Sequence, residues 1–387
     1  MTRDSPDEHH DSVPLFEIDW TDAELKNAID SITRGGYWAN GPYVDEFESR
    51  LAEYMGVDHA IVFNSGTSAA IAALDAHGIG NGDEVIVPSF TFIATANAVR
   101  AVGATPVFAE VEPVRCGLDP AAVEDSITDD TAAIMPVHYA GSPCLISELR
   151  DIAADHDIVL VEDAAEAQGA KVDGQLVGAI GDSGVLSFCQ NKIITTGEGG
   201  AVVTDSDDVA QSLRLRRSHG RASGAYFDSA ATGEYVTLGY NHRMADICAG
   251  IGVAQLDRIE DIIARRRHVA TDLSDRLAAV DHVHPPSEVP DGRHVYQLYT
   301  VTFDDAVDRD GVIESLNARD IASKVYFDPV HLSRYYREEH GFEPGDLPRT
   351  ERLSERVLSL PMHPNLDLER RRRVVDALET AVAENVG

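Results

Sequence analysis

HAIVFNSGTSAAIAALDAHGIGNGDEVIVPSFTFIATANAVRAVG, residues 59–103, carries the pattern that decides the fold. A β-branched and aromatic run, HAIVF (59–63), stops at a small polar turn, NSGTS (64–68), and continues as an alanine-rich helix. A second apolar run, EVIVPSF (84–90), leads into TFIATANAVRAVG, again of helical composition. Downstream, TPVFAEV (105–111), AAIMPVH (132–138), DIVLVED (157–163), GVLSF (184–188) and GAVVT (200–204) are further strand candidates. Strands alternating with helices predict an α/β fold with a mostly parallel sheet between helices. In such sheets ligands gather at the carboxyl ends of strands. Ser65-Gly66-Thr67, Asp163, Ser187 and Lys192 all fall at such ends.

Working outward, TDAELKNAIDSI (21–32) predicts a helix capped by Thr21, and Gly35, Gly36, Gly41 and Pro42 then mark a turn. One long helix is expected near 255–275, in AQLDRIEDIIARRRHVATDLSDRLAAV, before the proline-rich break HPPSEVPDG (284–292). YQLYTVTF (296–303) is a strand candidate of a smaller α+β unit. The expected organisation is a disordered leader over 1–13, a large domain over 14–262 and a small C-terminal domain over 263–387.

Composition narrows the function. The 387 residues carry a formal net charge of −34, spread along the chain. Such a surface repels nucleic acid and anionic membranes, so neither is an expected partner. Four scattered cysteines form no CxxC, which argues against a disulfide framework or a zinc site. No metal is expected. A polar, acidic N-terminus and no apolar run near the ~20 residues of a membrane span point to a cytoplasmic protein. Lysine is scarce, at Lys26, Lys171, Lys192 and Lys324. Abundant acid with little lysine suits a halophile's salty cytoplasm, where self-repulsion is screened; a merely acidic enzyme is the alternative.

Three segments carry chemistry. NSGTS leaves free N–H groups at a positive helix end, an anion cradle suited to phosphate, although an ordinary capped helix would look alike. VLVEDAAEAQGA (159–170) delivers Glu162-Asp163 to a strand exit, where an acid can bind a metal, a ribose or a protonated ring nitrogen, or simply cap a helix. SFCQNKIITTGEGGAVVT (187–204) sets a lone lysine in an apolar segment. A desolvated lysine is what imine chemistry with an aldehyde requires.

In order, SGT, SFTFIATAN, EDAAEAQGA, SFCQNKIITTGEGG and GYNHRMADICAGIGVAQL resemble the DegT/DnrJ/EryC1/StrS family, from GGYWANGPYVDEFE (35–48) to LSERVLSLPMHPNL (353–366). The resemblance implies a fold-type I aminotransferase-like fold and pyridoxal 5'-phosphate, held by Lys192 as a Schiff base. It implies that Lys192 moves the α-proton, Asp163 pairs with the pyridinium nitrogen and Phe92 stacks on the ring. Gly66, Thr67 and Ser187 would hold the phosphate, and Asn241 would reach the phosphate in a neighbouring subunit, giving a homodimer with shared sites. Glu166 stands where many relatives have Gln or His near the phenolic oxygen, and a carboxylate there is repulsive unless protonated or turned away. Arg243 and His331, in FDPVHL, match segments near the substrate.

EDAAEA and TTGEGG look like the perosamine-synthase branch, which acts at C4 rather than C3 of the sugar. The implied reaction moves an amino group from glutamate to a nucleotide-linked 4-keto-6-deoxyhexose for surface glycans. The arginines of LRLRRSHGR (213–221) either meet the substrate diphosphate or form a solvated helix end. Arg370 to Arg373 are expected to pair with surface acids. Two rivals remain: a pyridoxamine-dependent sugar dehydratase, which Lys192 argues against, and a sensor or regulator that keeps the cofactor fold.

Overall fold

The computed structural model describes residues 12–222, 233–290 and 292–387. Its strands, in chain order, begin with β1 (His59–Phe63), β2 (Glu84–Pro88), β3 (Thr105–Ala109), β4 (Thr131–Ile134) and β5 (Val159–Asp163). A short hairpin, β6 (Lys171–Val172) and β7 (Gln175–Leu176), precedes β8 (Ser183–Ser187) and β9 (Gly200–Thr204). Seven of these form one sheet in the order β1-β9-β8-β5-β4-β2-β3. The pairs β8/β5, β5/β4, β4/β2 and β2/β3 are parallel, whereas β9 lies antiparallel to both of its neighbours. β9 is reversed because residues 188–199 return the chain without a crossover helix. The chain expected to continue as strand to His138 leaves the β4 ladder after Ile134; Pro136, which lacks an N–H, follows.

The first helices are α1 (Asp22–Thr33), α2 (Pro42–Met55), α3 (Gly66–Ala76) and α4 (Ala94–Ala101). Thr21 caps α1, and Glu24 Oε2 accepts the Thr21 N–H at 2.8 Å, closing a capping box. Gly41-Pro42 is no mere turn: proline at the first helical position starts α2. The helix expected near 255–275 is two helices, Asp246–Leu256 and Ile259–Leu277, with Asp257 and Arg258 at the break.

A second sheet, β10 (Val283–His284), β12 (Tyr299–Phe303) and β13 (Val357–Leu360), is antiparallel; β11 (Gly292–Arg293) joins β6 instead. Helix Ile259–Leu277 links the two cores. Its Ile259, Ile262 and Ile263 pack under the main sheet, and Val269, Ala270, Leu273 and Leu277 pack with Tyr299 and Phe303. The 262/263 division therefore falls inside this helix. Of the leader, residues 1–11 lie outside the described residues, and Val13 is buried with the second core and pairs with Ile321. No helix among the described residues is long and apolar enough to cross a membrane.

One position shows how tightly the strand beside the site is packed. A Cβ on Gly184 would lie 1.9 Å from the Gly178 carbonyl oxygen. Gly178 cannot yield, because its N–H is held by Glu162 Oε2 at 2.7 Å. Gly184→Ala is expected to cost on the order of 3 kcal/mol of stability in denaturant titration. A loss under about 0.5 kcal/mol would show that the strand relaxes freely.

Candidate active site

Three strand exits meet. β5 ends at Asp163, β8 ends at Ser187, and β1 leads into the turn that opens α3. β5 and β8 pair directly, with Asp163 opposite Val185. A Cβ on Gly66 would lie 2.9 Å from Ser187 Cβ and 3.1 Å from its Oγ, so the first turn of α3 sits against the end of β8. Ser65 caps α3 by accepting the Ser68 N–H at 3.0 Å, while the first-turn N–H groups of Gly66 and Thr67 have no partner within the helix. This is a cradle that only glycine allows, at a positive helix end, with a serine beside it. It fits a phosphate.

Lys192 is carried by the loop between β8 and β9. Its N–H bonds Cys189 O at 3.0 Å, and Thr196 N bonds Phe188 O at 3.0 Å, which cinches the loop. Gln168 clasps it from beneath: its Nε2 donates to Ser187 O, and its Oε1 accepts from Ile194 N at 3.5 Å. Gln297 Nε2 holds Asn191 O at 2.5 Å. The Lys192 ammonium then reaches Glu166 Oε1 at 3.2 Å. Glu166 Oε2 accepts the Ala140 N–H at 3.0 Å. The Glu166 carboxylate is thus turned onto Lys192 and a backbone amide.

Asp163 is 8 % exposed. Its Oδ2 accepts the Thr95 hydroxyl at 2.8 Å, and its Oδ1 accepts the Ala165 N–H at 3.2 Å. Burial raises its carboxyl above the ordinary range; Thr95, Ala165 and the Lys192 charge oppose that shift. A carboxylate in this state is ready for a cationic N–H donor, such as a protonated ring nitrogen. Phe92 is 59 % exposed, with Phe327 at 6.0 Å between ring centroids.

The remaining expected residues are placed differently. Asn241 is exposed, and its backbone carbonyl lies 3.4 Å from Asn64 Nδ2, beside the phosphate turn. Arg243 bridges to Phe63, and its Nη1 donates to Ser218 Oγ at 3.0 Å. Burial, then Arg221 and Arg217, lower its affinity for a proton. In the LRLRRSHGR stretch, Arg216 pairs with Asp75 and Arg217 with Glu48, so both are structural ion pairs. Of the later run, Arg370 lies 3.8 Å from Glu17 and Arg371 lies 3.2 Å from Asp272. His331 is fully buried; its Nδ1 meets Ser89 Oγ at 2.7 Å and its Nε2 meets Glu351 Oε1 at 3.2 Å. Its partners are therefore outside the group around Lys192.

Several supporting contacts could not be read from sequence, although Glu162 was named there beside Asp163. Thr95 and Gln168 lie inside quoted segments, but nothing local marks their long-range partners. His138 and Glu162 form a fully buried pair at 2.9 Å behind Asp163. Cys144 N–H donates to His138 Nδ1 at 3.2 Å, so the Nε2 proton points at Glu162. Burial raises the Glu162 carboxyl, but His138 and the backbone N–H groups of Gly178 and Gly181 outweigh it, and the net shift is downward. The pair ties β5 to the turn bearing Ala140.

Residues 19–379 match the profile of the DegT/DnrJ/EryC1/StrS aminotransferase family. A GDP-perosamine synthase of Caulobacter vibrioides is 41% identical over 342 residues, covering 88% of this chain and 90% of that protein. DesV of S. venezuelae, solved in complex with a ketimine intermediate, superposes with a TM-score of 0.89 at 36% identity, covering 97% of this chain and 100% of that one. The pyridoxal-phosphate form of a putative sugar aminotransferase, Spr1654 of Streptococcus pneumoniae, gives 0.91 at 28% identity, with 96% and 99% coverage. The chain belongs to the DegT/DnrJ/EryC1/StrS aminotransferase family and is a pyridoxal-phosphate-dependent sugar aminotransferase.

Proposed function

We propose that this enzyme carries pyridoxal 5'-phosphate on Lys192 and transfers an amino group from glutamate to C4 of a nucleotide-linked 4-keto-6-deoxyhexose, for surface glycans. The observation that carries the reading is the convergence of Lys192, Glu166, Asp163 and the Gly66–Ser187 cradle at neighbouring strand ends. When bound, the cofactor supplies an electron-withdrawing ring that stores the amino group between donor and acceptor. The protein's own groups do the rest. The N–H groups of Gly66 and Thr67 and the Ser187 hydroxyl take the phosphate. Asp163 holds the ring N–H, with Thr95 and Ala165 fixing its carboxylate. Phe92 covers a ring face. Lys192 Nζ, freed from the cofactor, moves a proton at the carbon bearing nitrogen. His331 and Arg243 remain substrate-side proposals, His331 acting through position only, given its burial.

A homodimer is part of this proposal. Trp20, Leu25, Ile29, Ile32, Tyr37 and Trp38 are exposed on an otherwise acidic protein, an apolar surface that a second copy would cover. Asn241 would then complete a partner's phosphate site. The C4 position draws on the likeness to a protein named GDP-perosamine synthase, so a GDP-linked 4-keto-6-deoxy sugar is the first acceptor to try. In a high-salt assay suited to a halophilic cytoplasmic enzyme, one glutamate should be consumed per amino sugar formed, with no loss of a sugar hydroxyl. Loss of a hydroxyl would instead establish the dehydratase. A bound cofactor that turns over with no amine donor would establish a sensor.

A further inference from the structure

We infer that the Glu166 carboxylate holds a proton on the Lys192 nitrogen after that nitrogen has joined the cofactor aldehyde, and thereby sets the pH range in which the loaded enzyme is reactive. This rests on the reading of Lys192 as the point of attachment. Joining an ammonium to an aldehyde forms a C=N bond and releases one water; the nitrogen keeps one proton and its positive charge. That protonated linkage is the form an amino donor attacks, and a nearby fixed anion stabilises it.

Glu166 is such an anion. It lies 3.2 Å from Lys192 Nζ, with side-chain exposures of 13 % for the lysine and 8 % for the glutamate, so solvent screens the pair little. It cannot swing away easily. Its second oxygen is held at 3.0 Å by the Ala140 N–H, in a turn whose Ala140 and Gly141 both have positive φ. That turn is anchored in turn: Val295 N bonds Gly141 O at 3.0 Å, and Leu298 N bonds Ala140 O at 3.2 Å. A Cβ on Gly141 would strike Val295 at 2.7 Å and the Gln297 nitrogen at 2.9 Å, so the turn is packed closely against the 295–297 segment.

The other groups facing this carboxylate do not duplicate its role. Asp163 already has one oxygen on Thr95 and one on Ala165, and in the proposed function it serves the ring nitrogen. Tyr139 and Tyr326 are both pushed up by burial, and Glu166 adds to the shift, so both phenols stay neutral. The Tyr139 hydroxyl is engaged by Thr300 and by the Tyr326 carbonyl. Cys189 Sγ lies 3.7 Å from Glu198 Oε1. Among the described residues, Glu166 is therefore the carboxylate left to face the Lys192 nitrogen. The competing explanation is a structural clip that merely joins Ala140 to the lysine loop. A clip would affect melting temperature and cofactor affinity; it would leave the protonation of the linkage alone.

The test is an absorbance titration, from acid to alkaline pH, of full-length enzyme reconstituted with pyridoxal phosphate, comparing wild type with Glu166→Gln. Glutamine keeps the length and can still accept the Ala140 N–H, but carries no charge. The pH midpoint of the spectral change should fall by about one to three units. An unchanged or raised midpoint overturns the inference. If the glutamine variant takes up no cofactor, Glu166→Asp replaces it: withdrawing the carboxylate by one methylene should lower the midpoint measurably, and no decrease overturns the inference. Failure of the wild type itself to form the band overturns the attachment reading, and this inference with it. A band with the wrong midpoint shift leaves the attachment intact and removes only the role of Glu166.

Discussion

Replacing Lys192 by alanine is expected to abolish amino transfer, lowering kcat on the order of 10⁴-fold or more. No other lysine can substitute. Lys26 is in α1, Lys171 is in β6, and Lys324 pairs with Ser359 at the edge of the second sheet. The loop should keep its shape, because its ties run through Gln168, Gln297 and backbone bonds rather than through the Lys192 side chain. Cofactor binding should weaken without vanishing, since the Gly66–Ser187 cradle and Asp163 remain. Two measurements separate these effects. The absorption band of the attached cofactor should be missing at every pH, while equilibrium dialysis should still detect bound cofactor. Transaminase activity above about 1 % of wild type would be at odds with the ~10⁴-fold expectation and would remove Lys192 from its role.

The seven strands of the main sheet were all visible in the sequence. Runs such as EVIVP and GAVVT, buried almost throughout, read as unbroken apolar stretches, as strands packed on both faces must. Strand order was not visible, because it depends on pairings between distant segments; nor was the reversal of β9. α2 was missed because Gly41-Pro42 resembles a turn until a following apolar face shows that proline opens a helix. The break at Asp257–Arg258 was missed because both flanking helices keep an apolar face: Val253 and Leu256 before it and Ile259, Ile262 and Ile263 after it share one core.

In the site, Lys192 stood out as a lone lysine in an apolar run, whereas Asp163, at a strand exit where a helix cap reads equally well, took its role from the family resemblance. Their supports did not stand out. Thr95 reaches Asp163 across 68 residues, and His138 reaches Glu162 across 24, contacts that neither periodicity nor local motif encodes. Sequence likewise left the orientation of Glu166 open. The 3.2 Å contact of one Glu166 oxygen with Lys192 Nζ, with the Ala140 N–H on the other, shows that its carboxylate faces the lysine.

Asp163→Asn is expected to move activity and stability in opposite directions. Asparagine has nearly the same shape but cannot hold a protonated ring nitrogen as an anion does, so kcat should fall on the order of 10²–10³-fold or more. Stability of the cofactor-free protein should not fall. Burial raises the Asp163 carboxyl in the folded state, so its contribution is fully present below the unfolded carboxyl range and is lost as pH rises through the raised folded value. At neutral pH the ionised group therefore works against the fold, and a neutral amide removes that penalty. The local bonds can adapt. Thr91 and Thr95 hydroxyls lie 2.9 Å apart, so Thr95 can donate to Thr91 and accept from the new amide, whose oxygen keeps the Ala165 N–H. The cofactor-free variant should melt at or above the wild-type temperature near neutral pH, and the difference should shrink in acid. Added pyridoxal phosphate should raise its melting temperature less than it raises that of wild type, because the ring contact is weaker. If the variant kept activity within about tenfold of wild type, well short of the range for a lost electrostatic contact, Asp163 would not be the ring's partner. A lower cofactor-free melting temperature would mean that hydrogen bonding to Thr95 and Ala165 outweighs the burial of charge.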